Sequence, residues 1–114
     1  MVKRTFLVRE PEKGLLQTLF GGKYDFQIDI LNNLEKRRLG SIIDAYLKNL
    51  TYIECQIIKM RYGLDEPSIF KIEEIKEVFN VSSRFISQTR IKALEKLRFS
   101  GLEARLDYFF KFKS

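Results

Sequence analysis

A chain of 114 residues, 45% hydrophobic and 32% charged, carries enough apolar material for one modest core. Two Pro and six Gly are too few for a loop-rich or disordered protein, and the absence of His leaves no Cys–His or Ser–His pair and argues against a zinc site. The net charge of +6 permits nucleic-acid binding without requiring it. No paired carboxylates stand out, so a non-enzyme without metal or cofactor is expected. Cys55 has no partner for an internal disulfide, which fits a reducing compartment. No apolar run reaches the roughly twenty residues of a membrane span and the start lacks a signal-peptide pattern, so a cytoplasmic protein with no membrane contact is expected.

Residues 1 to 33 read as a short N-terminal extension of uncertain structure, a candidate partner-binding segment. Lys3 to Glu10 suit a strand or an extended arm ended by Pro11. Leu15, Leu16, Leu19 and Phe20 suit a short helix stopped by Gly21-Gly22. Tyr24, Phe26, Ile28 and Ile30 alternate with polar residues at a strand-like period of two, and a helix opening at Asp29 and running through Leu31 and Leu34 is an equal alternative.

From residue 34 to 114 the pattern is that of a mostly α domain. Leu39, Ile42, Ile43, Tyr46, Leu47 and Leu50 keep the three-and-four spacing of a helix with one buried face. Thr51 and Glu54 form a capping-box pattern ahead of a helix that buries Ile53 or Ile57, with Ile58, Met60 and Tyr62, and stops at Gly63. After a loop at 65 to 68, Ile72, Ile75 and Phe79 face inward on a short helix. Asn80-Val81-Ser82 makes a turn, Ser82 caps a helix reaching about Arg98, and Ser100-Gly101 separates it from a last helix over 102 to 112.

A short helix, a tight turn holding one apolar residue (Val81) and a longer basic helix match helix-turn-helix geometry. Residues 84 to 98 carry Arg84, Arg90, Lys92, Lys96 and Arg98 against Glu95 alone. Such a run serves either a solvated helix face or a phosphate backbone, and an all-helical bundle with a tight connection is the plain alternative.

The wording of this half adds more. Leu50-Thr51 through Lys59-Met60-Arg61-Tyr62-Gly63-Leu64-Asp65, then Ile72-Glu73-Glu74-Ile75, Phe79-Asn80-Val81-Ser82, Ile86-Ser87-Gln88 and Lys92-Ala93-Leu94-Glu95-Lys96-Leu97-Arg98 resemble region 4 of the sigma-70 family of RNA polymerase sigma factors. The motifs fall in order and without a gap from about residue 45 to 98. The resemblance implies a region 4-like helix-turn-helix bundle that docks on the beta flap of core RNA polymerase and contacts double-stranded promoter DNA. Ser83, Arg84, Ser87 and Gln88, with Ile91 at the margin, then form the outward face of the recognition helix. Arg84 suits guanine and Gln88 adenine, while Ser82, Lys92, Arg61 and Lys71 are candidate phosphate contacts. Tyr46, Leu50, Ile53 and Ile57 are candidate polymerase contacts, although most apolar residues there should serve the core. Ile53 stands where the family commonly has Arg.

The departures concern the reading face. The family usually has Arg, Glu, Arg where this chain has Ser83, Arg84 and Phe85, and Arg where it has Ser87. Packing beside Ile86 is the preferred reading of Phe85, with a thymine methyl or a partner protein as the alternative. The first 49 residues lack the aromatic, basic helix that melts promoters in this family. A stand-alone region 4 is therefore expected, paired with a second sigma-like subunit, bound by an anti-sigma protein, or acting as a phage or mobile-element regulator. A polymerase-independent helix-turn-helix regulator and a sigma appropriator acting by protein contact are the alternatives.

Overall fold

A computed structural model describes residues 14–64 and 69–112. The strand or arm read over residues 3 to 10 and the loop at 65 to 68 lie outside them. Among the described residues the elements are α1 (Leu15–Phe20), α2 (Asp25–Asp29), α3 (Asn33–Leu47), α4 (Tyr52–Tyr62), α5 (Ile72–Phe79), α6 (Ser83–Arg98) and α7 (Leu102–Phe112). The fold is mostly α, as the sequence indicates.

Helix boundaries follow local chemistry. Glu54 N–H donates to the Thr51 hydroxyl at 3.3 Å while the Glu54 carboxylate accepts from Thr51 N–H at 3.0 Å, so two otherwise orphaned donors at the start of α4 are satisfied. Asn32 and Glu35 make the same reciprocal pair at the start of α3. Gly63 closes α4 in the left-handed region at φ 66°, and Gly21 closes α1 at φ 67°, backbone angles that cost a residue with a Cβ.

The segment from Tyr24 to Leu34 follows neither of the two readings offered by its alternation. Residues 25 to 29 are helical, and the next helix begins at Asn33 behind its own capping box. Tyr24 and not a strand partner organises this stretch. Its ring stacks on Phe110 at 5.2 Å and meets Phe20 edge-on at 5.9 Å, and its hydroxyl donates to Asp107 Oδ1 at 2.7 Å. A period of two has no meaning without a neighbouring strand to supply ladder bonds.

α6 is the central helix, packed against α1, α4, α5 and α7. Its two flanks serve two apolar clusters. In the smaller, Ile57 and Met60 of α4, Ile75 of α5 and Ile86 of α6 are buried, with Val81 of the turn and Phe79 packed against them. The larger cluster joins Leu15, Leu16 and Leu19 of α1 to Leu47 and Leu50, to Leu94 and Leu97 of α6, and to Leu102, Leu106 and Phe110 of α7. Residues 15 to 31, read as part of an extension, thus supply side chains to the same core as the C-terminal helices. Besides the Tyr24 hydroxyl, two more side chains tie them there. Lys23 Nζ lies 2.7 Å from Glu103 of α7, and Arg98 of α6 donates to the Leu19 and Thr18 carbonyls at 3.2 and 3.5 Å. The latter satisfies carbonyls at the open end of α1.

Candidate nucleic-acid interface

α5, the turn and α6 have the geometry that the sequence motif implies. Asn80 ends α5 in the left-handed region at φ 55°, ψ 51°, a conformation Asn tolerates better than other residues with a Cβ. Val81 then turns its side chain into the α4–α5–α6 cluster, which fixes the angle between the two helices. Ser82 starts α6, its hydroxyl oxygen accepting the Phe85 N–H at 3.0 Å. The Ser82 proton is still available to donate outward, because a hydroxyl both accepts and donates.

Inward positions of α6 are Ile86, Thr89, Ala93, Leu94 and Leu97. Their spacing turns Arg84, Gln88 and Lys92 outward, and all three are exposed. Ser82 is exposed beside them, while Ser83 and Ser87 are half-buried at the margins of the same face. Lys71 is exposed at the start of α5, with its backbone N–H donating to Glu74.

Basic charge on α6 is less available than its sequence count suggests. Lys96 pairs with Glu54 of α4 at 2.9 Å, Arg98 holds the end of α1, and Arg90 donates to the Tyr62 hydroxyl at 2.9 Å. These three cations tie helices together. Arg84 and Lys92 are the basic residues that point outward from the reading face. The Glu54 side chain is only 5% exposed. Burial would raise its pKa, but the Lys96 hydrogen bond and the Thr51 N–H outweigh that, and the carboxyl is held below its usual range.

Several expected contacts are placed elsewhere. Arg61 is 7% exposed, which removes it from the outward surface as a phosphate contact. Ile57 of α4 is fully buried in the smaller cluster, and Leu50, in the link between α3 and α4, is buried in the larger; as folded, neither offers surface to a partner. Tyr46 packs half-buried against the larger cluster and Ile53 against the smaller, so Ile53 is not a projecting apolar residue. Phe85 departs in the other direction. It is 41% exposed and does not join Ile86 in the core. The helical step explains this: Ile86 takes the inward position, and the preceding residue is rotated by about 100° away from it. The inward series Ile86, Thr89, Ala93, Leu97 was the available signal. Ile91, also exposed at 53%, flanks the face on its other side.

Among the described residues no cluster of Cys, Asp and Glu could hold a metal ion, and no helix is long and apolar enough to cross a membrane.

Comparison with known proteins gives this arrangement a context. No family model matches the chain, and no solved structure matches it. Curated proteins do. The chain is 36% identical over 67 residues to RNA polymerase sigma factor SigA of a Nostoc species, a stretch covering 59% of this chain and 17% of that protein. It is 36% identical over 70 residues to SigA of Microcystis aeruginosa, covering 61% of this chain and 16% of the relative. For SigA of a Bacillus species the identity is 36% over 76 residues, 67% of this chain and 19% of the relative. The chain therefore spans less than a fifth of the length of these relatives. Over about three-fifths of its own length, this helix-turn-helix protein carries a segment similar to the sigma-70 family of RNA polymerase sigma factors.

Proposed function

We propose that the chain acts in transcription as a sigma-like factor, binding RNA polymerase and contacting upstream promoter DNA through α6 in the major groove. The observation that carries this reading is the outward face of α6. Arg84, Gln88 and Lys92 are stacked one turn apart and exposed, running from the start to just past the middle of the helix that a helix-turn-helix inserts in the major groove. Arg84 matches the two acceptors of guanine and Gln88 the donor–acceptor pair of adenine. Lys92, Lys71 and Ser82 are exposed and would supply the phosphate contacts that set the register. The names of the relatives, all RNA polymerase sigma factors, support the polymerase half of the proposal.

Polymerase contact would fall on the beta flap, through surface that α3 and α4 leave accessible. Tyr46 and Ile53 are better placed for it than the buried Leu50 and Ile57.

Retention of the purified full chain on core RNA polymerase and on the isolated flap tests the proposal, together with polymerase-dependent binding to promoter DNA. Retention, and DNA binding weakened by Arg84→Ala and by Gln88→Ala, are the expected results. Failure to bind polymerase, with DNA binding indifferent to both substitutions, overturns it.

A further inference from the structure

We infer that Phe85 is a base-reading residue that selects a thymine next to the base pair read by Gln88. The inference rests on the major-groove placement of α6 proposed above.

Phe85 is the third residue of α6, and its backbone is pinned by the hydrogen bond from its N–H to Ser82 Oγ at 3.0 Å. Its side chain is 41% exposed on a helix whose inward positions are already filled by Ile86, Thr89 and Ala93. It shares a helix edge with Gln88 three residues on and Lys92 seven residues on. The partner this surface fits is anionic: from Ser83 to Leu94 α6 carries Arg84, Arg90 and Lys92 and no acidic residue. Glu95, exposed, is the nearest carboxylate on this helix, two turns beyond Gln88.

Within a major groove, the apolar feature on a base edge is the thymine 5-methyl group, and an aromatic side chain is one of its recognised partners. Phe85 precedes Gln88 by about 4.5 Å of helix rise, close to the roughly 3.4 Å of one base-pair step. A ring so placed meets the base pair adjacent to the one hydrogen-bonded by Gln88.

Replacing thymine by uracil removes that methyl group and nothing else. The test starts from duplexes enriched by selection with the full chain and core RNA polymerase, and replaces each thymine in turn by uracil. One position should weaken binding by about three- to fivefold, the worth of one buried methyl group. Phe85→Ser should abolish that difference while keeping the wild-type melting temperature, and Phe85→Leu should keep part of it. Neutral uracil replacement at every position, with DNA still bound and still sensitive to Gln88→Ala, overturns the role of Phe85 and leaves the proposed function standing. Failure to enrich any duplex overturns both.

Discussion

Tyr24 and Lys23 show how single side chains attach the N-terminal helices to the rest of the molecule. Burial, reinforced by the Asp107 hydrogen bond, pushes the Tyr24 hydroxyl up to about 12, and hydrogen bonding to Glu103 raises Lys23. Both groups are therefore easier to keep protonated when folded. Their contribution is complete below about pH 10 and fades as pH rises through the folded values. At the acid end, Glu54 is held low against its burial by Lys96 and Thr51, and Asp107 by the Tyr24 hydroxyl against a smaller opposing effect of burial. Their contribution is present above about pH 4.5 and lost as pH falls below it. Denaturant unfolding measured across pH should give a plateau between these limits, and Tyr24→Phe should flatten part of the alkaline decline. The same substitution removes the 2.7 Å bond to Asp107, a loss of about 1 kcal/mol at neutral pH. On the reading face, Lys92→Ala should lower DNA affinity evenly across sequences and reduce the salt slope by about one, read from binding at several salt concentrations.

At the scale of elements, the beginnings of α4 and α6 can be tested separately from their packing. Ser82→Ala removes the acceptor for Phe85 N–H and should cost about 1 kcal/mol in chemical denaturation, with little change in the wild-type fold. Glu54 has a double task, closing the cap of α4 and pairing with Lys96 of α6. Lys96→Met leaves a carboxylate buried without its cation. Because Lys96 itself is half-exposed, the expected loss is about 1–2 kcal/mol, below that of a fully buried pair. Adding Glu54→Gln should recover part of it, since Gln keeps the capping bond and carries no charge to bury. A double-mutant cycle reads the coupling directly. Both ends of this pair are visible in the sequence as a capping Glu and a basic helix residue. Their meeting is not, because the residues are separated by 42 positions and local periodicity says nothing about such distances.

The whole molecule is organised around α6, which presents one face to solvent and places residues of the others in two apolar clusters. Leu106→Ala and Ile86→Ala remove fully buried side chains from different clusters, and each should cost about 2–5 kcal/mol. If α6 couples the clusters, both variants will still unfold in a single transition, with far-UV circular dichroism and tyrosine fluorescence coincident. Separate transitions would show that α1 and α7 are an independently melting layer.

The helix starts at Thr51 and Ser82, the stop at Gly63 and the turn around Val81 were legible in the sequence. Each depends on residues within one or two turns, where capping and periodicity act. Three features were settled by tertiary structure. Arg90, Lys96 and Arg98 are committed to Tyr62, Glu54 and the end of α1, so the basic run overstates the charge left for a nucleic acid. Residues 25 to 29 form a short helix instead of a strand, with Tyr24 ahead of them anchored on Phe110 and Asp107. Phe85 stays at the surface because Ile86 fills the core beside it. A residue's type limits what it can do, but its burial and partners depend on which helices come to lie against it, and that is a property of the packed chain.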